Sequence, residues 1–274
     1  MPASSLRAGV AATCDELTYD DTIFYYGRQR EGRFEKPQKG KKGSFGAFPA
    51  GLDINPVTGA IDVNKSESGM KYRVWFKPNG STDTCSTYIT ISGINYVSRV
   101  YNLAKGDSIA APFYNASLDA ACPCAKSAQG CEFNSTDDLE IMSVARTSGR
   151  KRQPVEVAMD PKTGAINLRK TLRNGLLGAK PKNGSIQEFR LYYRLDDASH
   201  KAVNYIDIRI HYYDRIENVP ASLLAQTNYK TAAGARIATL SGGTYARGAV
   251  RSESGGEGGT AMAVRPPDVI GTGF

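Results

Sequence analysis

The feature that most constrains this chain is a segment it contains twice. Asn55-Pro56-Val57-Thr58-Gly59-Ala60-Ile61-Asp62-Val63 recurs as Asp160-Pro161-Lys162-Thr163-Gly164-Ala165-Ile166-Asn167-Leu168, with an identical Pro-x-Thr-Gly-Ala-Ile core. A repeat at this distance means that one supersecondary unit is built twice, and it bounds every fold assignment that follows. Its chemistry is that of a tight turn between strands. Asn or Asp bonds to its own backbone, Pro presets φ at about −65°, Thr adds a hydroxyl acceptor and Gly supplies a positive φ. Asn55, Pro56, Thr58 and Gly59, and Asp160, Pro161, Thr163 and Gly164, are therefore expected to form two copies of one turn, with structural duties for their polar side chains.

The flanks repeat as well. Leu52-Asp53-Ile54 and Val155-Glu156-Val157 alternate apolar and polar residues before the motif, as a strand with one buried face does. After it come Tyr72-Arg73-Val74-Trp75-Phe76 and Tyr88-Ile89-Thr90-Ile91 in the first copy, matched by Phe189-Arg190-Leu191-Tyr192-Tyr193 and Tyr205-Ile206-Asp207-Ile208-Arg209-Ile210 in the second. Residues 48–95 and 153–214 should then form matching sets of strands.

A chain of 274 residues has room for two units of ordinary domain size. The expected fold class is all-β: two tandem immunoglobulin-like or cadherin-like β-sandwich domains, residues 1–97 and 98–228, followed by a Gly/Ala-rich tail, 229–274. A strand is expected at Thr22–Tyr26, then a Gly/Lys-rich loop from Gly27 to Gly46. Tyr96–Leu103 reads as a connector between domains, Ser108–Pro112 as the start of the second, and Leu139–Val144 as a strand leading to its motif. One short helix is expected at 220–226, with Asn218 as its cap and Pro220 near its first turn. In the tail the apolar residues are too dispersed for a core, which marks it as the expected site of assembly.

At these residues the chain resembles two related kinds of repeat. Phe48-Pro49-Ala50-Gly51-Leu52 before the first motif, and Ser66-Glu67-Ser68-Gly69-Met70-Lys71-Tyr72-Arg73-Val74 after it, resemble the Ig-like repeats of large bacterial surface proteins, including those of gliding, type IX-secreting bacteria. The second copy, from Val157 to Leu172, is similar to cadherin repeats. The resemblance implies an adhesive or structural role outside the cell. It would also bring calcium ligands, an Asp-Arg-Glu after the turn strand and an Asp-x-Asn-Asp-Asn linker. The chain instead has Thr171-Leu172-Arg173-Asn174 and Asp214-Arg215-Ile216-Glu217-Asn218. Calcium is therefore not expected, and Asp196, Asp197 and Asp214 read as surface turn residues.

Chemistry of other kinds finds little support. The sequence has no Gly-x-Ser-x-Gly elbow, His-Glu-x-x-His pair or phosphate-binding Gly-x4-Gly-Lys-Ser/Thr loop, so no enzyme is expected and no cofactor. Of the two histidines, His211 alternates with Ile210 and Tyr212 and reads as a solvent-side strand residue, while His200 lies in an Asp-Ala-Ser-His-Lys turn. Five cysteines exclude complete pairing within one chain. Cys122, Cys124 and Cys131 cluster, Cys14 and Cys85 stand apart, and Cys-Pro-Cys is too tight to bridge easily upon itself. Disulfides from the cluster to Cys14, to Cys85 or within itself, reduced thiols, and a metal site all remain open.

A net charge of +8 raises the question of nucleic acid. The basic clusters, at Lys36, Lys39, Lys41 and Lys42, at Arg150, Lys151 and Arg152, and at Arg169, Lys170 and Arg173, sit beside loop-forming residues without a nucleic-acid motif, so solvated loop charge is expected. An acidic polysaccharide is a second candidate partner. No apolar run reaches the ~18–20 residues of a spanning helix. Met1–Thr13 lacks the apolar stretch and cleavage site of a secretory signal, so export by that route needs a leader already removed. Fifteen tyrosines, several paired as in Tyr25-Tyr26, Tyr192-Tyr193 and Tyr212-Tyr213, place rings on both faces of strands, for cross-strand packing or for sugars. The expected role is a structural or adhesive subunit of a surface or filamentous assembly, self-associating or contacting other surface proteins. The alternatives are a virion component, capsid-decorating or tail, and a carbohydrate-binding accessory module.

Overall fold

A computed structural model of the chain describes residues 17–27, 32–40, 42–120, 122–126, 130–133, 157–225, 227 and 267–274. Among them strands dominate and helices are few and short, so the chain is β-rich. The strands follow the period-two pattern of the sequence. In β5 (Met70–Pro78) Met70, Tyr72, Val74 and Phe76 are buried, and in β13 (Ser185–Arg194) Phe189, Leu191 and Tyr193 are.

The first sheet runs in the order β1 (Ile23–Phe24), β6 (Cys85–Ile91), β5, β3 (Gly43–Phe48). β5 is antiparallel to β6 and to β3, and β1 is parallel to β6. A ribbon of β2 (Phe34–Glu35) and β4 (Ile61–Asp62) carries the end of the first motif. Ile61 and Val63 from this side share a core with Phe24, Phe45, Val74, Phe76, Ile89 and Ile91.

The second sheet repeats the arrangement: β11 (Glu132–Phe133), β13, β14 (Asn204–Tyr213), β15 (Asp268–Thr272), β8 (Arg99–Asn102). Its ribbon pairs β9 (Ile109–Ala110) with β12 (Ile166–Asn167), which carries the second motif. Registers correspond residue by residue. Phe45 opposes Phe76 as Phe133 opposes Tyr193, and Ile61 opposes Glu35 as Ile166 opposes Ala110. A further ribbon, β7 (Ile94–Tyr96) with β10 (Pro112–Tyr114), follows the first sheet.

The two cores meet at Tyr193. Its hydroxyl donates to Ser68 Oγ at 2.8 Å and accepts from the Ile94 N–H at 3.2 Å. Ser68 in turn donates to the Ile94 carbonyl at 3.1 Å. Close by, Asn95 Nδ2 donates to Glu67 Oε1, and Ser92 donates to Asp197.

Several expectations need correction, the first being the loop from Gly27 to Gly46, which holds β2 and the start of β3. Tyr96–Leu103 is not a connector: β8 lies within it, Tyr101 and Leu103 are buried in the second core, and Ile94 and Tyr96 join that core although they precede residue 97. The stretch after the second motif is a helix, α1 (Leu168–Arg173), where matching strands and a basic loop were expected. Asn167 caps it by accepting from Lys170 N–H, and Leu168, Thr171 and Leu172 give it one buried face. The helix at residues 221–225 exists, but Asn218 does not cap it; Asn218 lies in a 3-10 turn and donates to Asp214, while the Pro220 carbonyl accepts from Leu223 and Leu224. Finally, the last part of the expected tail is not one, because Asp268–Thr272 is an interior strand of the second sheet; residues 229–266 lie outside the described residues. The expected strand at Leu139–Val144 lies outside the described residues.

Two outcomes follow for stability. Tyr193→Phe keeps the ring but leaves the Ile94 N–H buried without its acceptor, so chemical denaturation should show a loss of about 1–3 kcal/mol. Gly59→Ala and Gly164→Ala should each cost at least about 1–2 kcal/mol, because both glycines have positive φ and a Cβ would lie 2.7 Å from the Phe45 or Phe133 ring.

Candidate functional site

The repeated turn is the first place where function could reside, and one side-chain oxygen of each of Asn55, Thr58, Asp160 and Thr163 is engaged in the framework. Asn55 Oδ1 accepts from the N–H groups of Val57 and Thr58, both at 2.9 Å; Asp160 Oδ1 accepts from Lys162 at 2.8 Å and Thr163 at 3.2 Å. Thr58 Oγ1 accepts from Ala60 N–H, and Thr163 Oγ1 from Ala165 N–H, each at 3.3 Å. Each turn is then tied down from outside by a tyrosine, Tyr19 donating to the Gly59 carbonyl and Tyr96 to that of Gly164. Burial pushes the Tyr96 phenol well above its ordinary range, so it stays a donor. Tyr19, Tyr96, Phe45 and Phe133 were not legible as partners, since they lie outside the recognised motif and at different distances from it in the two copies: Tyr19 is 40 residues from Gly59 and Tyr96 is 68 from Gly164.

The cysteines resolve in part. Cys124 and Cys131 are joined in a disulfide, within the cluster. The sulfur of Cys122 lies within 4.8 Å of both, but bridging of the other two removes the three-thiolate donor set that a metal would need. Tyr114 holds this loop to the second motif by donating to the Thr163 carbonyl at 3.2 Å; burial first, then its contact with Cys122, raises its phenol. Cys85 is buried on β6, in the first core, and Cys14 lies outside the described residues.

The most distinctive site is the slot between β14 and β8. In the first sheet β1 pairs directly with β6, Ile23 with Thr90 and Phe24 with Ile91. In the second, β8 stands in the place of β1, a few residues after the tyrosine that bonds the motif glycine. It is separated from β14 by β15. β15 is parallel to both neighbours, from Arg209–Asp268 to Tyr213–Thr272 on one edge and from Val269–Arg99 to Thr272–Asn102 on the other.

All five residues of β15 are buried. Val269 enters the second core, while Ile270 packs with Tyr213, Val219 and Leu223 on the opposite face. Asp268 is held by His211, whose Nε2 lies 2.8 Å from its carboxylate. Arg209 Nη1 lies 3.3 Å from the same oxygen, and the Asp268 N–H donates to Ser98 Oγ at 3.0 Å. The expectation of a solvent-facing His211 is thereby overturned: at 3 % exposure it is covered, because β15 and the segment carrying Val219 and Leu223 close over that face.

Elsewhere the surface is ordinary. Tyr192 and Tyr205 oppose each other across β13 and β14, with ring centres 6.0 Å apart, and Arg190 sits 4.0 Å over Tyr205 while pairing with Asp207. These outward tyrosines are thus used in cross-strand packing. Lys36, Lys39, Lys42, Lys170 and Arg173 are exposed, whereas Arg169 donates to the Leu103 carbonyl. Lys41 and Arg150–Arg152 lie outside the described residues. Asp196 and Asp214 are exposed, and Asp197 is half-buried, capping the turn at Ser199. No helix among the described residues is long and apolar enough to cross a membrane. No protein-family description matches the chain, and no curated protein matches its sequence.

The two turns should differ in acid. The N–H of Lys162 above all, then that of Thr163, holds the Asp160 carboxyl below its ordinary range, whereas Asn55 does the same work without titrating. With a lowered native pKa, the contribution is complete above the ordinary value of about 3.9 and is lost as pH falls through the native value. Backbone amide shifts at Lys162 and Thr163 should titrate in that acid window, those at Val57 and Thr58 should not, and Asp160→Asn should abolish the difference.

Proposed function

We propose that the protein is a structural or adhesive component acting outside the cell, built from two tandem immunoglobulin-like or cadherin-like β-sandwich domains, and serving as a subunit of a surface or filamentous assembly. The observation that carries this reading is what the two repeats have in common. The side chains that recur in equivalent places, Asn55 and Asp160, Thr58 and Thr163, Tyr19 and Tyr96, Phe45 and Phe133, all serve the framework. A chain that duplicates a scaffold rather than a ligand site gains length, spacing and contact surface.

Two further points support it. A disulfide between Cys124 and Cys131 persists in an oxidising compartment, such as the cell exterior. The hydrogen bonds around Tyr193 hold one core against the other, as suits a spacer that transmits load. The test is negative-stain microscopy together with light scattering of the purified full chain over a concentration series. Species larger than one copy, growing with concentration, are expected; a protein that stays a monomer throughout would sink the proposal.

A further inference from the structure

We infer that the slot between β14 and β8 is a docking site for the terminal strand of a second copy of this chain, so that Asp268–Thr272 links one subunit to the next. This rests on the assembling-subunit reading above and names its partner and its contact.

The first repeat shows that the sheet closes without an added strand, since β1 lies directly on β6. In the second repeat the equivalent pair is held open by one strand width, and the strand that fills the gap comes from the far end of the chain. Residues 228–266 separate it from the preceding helix, so no tight turn dictates its insertion. Its position is set by the slot itself.

That slot reads a specific strand. An interior parallel strand has ladder hydrogen bonds on both edges, which supply affinity, while alternate side-chain pockets supply register. Asp268 is recognised by His211, Arg209 and Ser98. Val269 and Ile270 enter cores on opposite faces. Gly271 passes Leu103 so closely that a Cβ would lie 3.2 Å from its Cδ1. The occupant best suited reads acidic, apolar, apolar, small, and every copy of the chain carries that pattern at Asp268–Gly271.

Exchange between copies preserves each of these contacts, which is why swapping an identical element is a low-cost route to association. Only the effective concentration changes. A strand carried on the same chain meets its slot at an effective concentration of roughly millimolar or below. Passing the strand onward becomes favourable when subunits are crowded to that level, as in a surface layer.

The test uses the full chain in two forms, one with an affinity tag and one fluorescent, unfolded together and refolded over a range of concentrations. Mixed complexes should form in increasing yield, and an excess of the synthetic peptide Pro267–Phe274 during refolding should reduce them by about tenfold. A fluorescent chain carrying Ile270→Lys should accept strands but not donate them, and so cap the assembly; the peptide arm decides the matter should this variant not fold. Mixed complexes that form equally well with peptide and with Ile270→Lys overturn the strand exchange while leaving assembly itself intact. The absence of mixed complexes at every concentration overturns the exchange outright, and light scattering of the native protein then judges the assembly reading separately.

Discussion

Much of this structure depends on the surroundings of one hydroxyl. Tyr193 stands where the first repeat has Phe76, in the strand opposing Phe133 as Phe76 opposes Phe45. Its ring completes the second core and packs on the phenylalanine that lies against the motif glycine Gly164. The added oxygen, fully buried, must find partners, and it finds them in the first repeat's Ser68 and in the Ile94 backbone. That atom makes an interior packing residue one of the ties between the two cores, beside the Ser92–Asp197 hydrogen bond and Ala202, which packs into the first core.

The two repeats share a framework and differ in how they close. A turn whose Asn or Asp satisfies its own backbone, a glycine with positive φ under a phenylalanine ring, and a tyrosine bonded to that glycine recur together, because each solves a problem created by the others. The glycine conformation permits the turn, its missing side chain admits the ring, and its carbonyl would be left unpaired without the tyrosine. The closing strand is not bound by this logic. It lies at the edge farthest from the turn, and there the second sheet takes in β15 while the first does not.

Legibility in the sequence followed the range of the forces involved. Strand alternation in Met70–Phe76 and Phe189–Tyr193, and the Asx-type turns, rest on contacts within a few residues and were readable directly. Residues 168–173, expected as loop and strand, were legible as a helix: Leu, Arg and Lys favour it, Asn167 is a capping residue, and Leu168, Thr171 and Leu172 share one face. His211 was misread for a different reason. Alternation placed it on the outer face of β14, but that face is covered by β15, from far along the chain, and by the segment carrying Val219 and Leu223.

The sequence by itself determined that this chain is β-rich and builds one turn twice, because period-two burial and the Asn/Asp-Pro-x-Thr-Gly chemistry are local properties. Only the tertiary structure decided which strands become neighbours: that Tyr96–Leu103 belongs to the second sheet, that Cys124 pairs with Cys131, and that the last strand lies between β14 and β8. Parallel pairing of distant segments leaves no mark in their spacing. It is fixed by complementary surfaces, here Asp268 against His211 and Arg209, that exist only once the chain has folded.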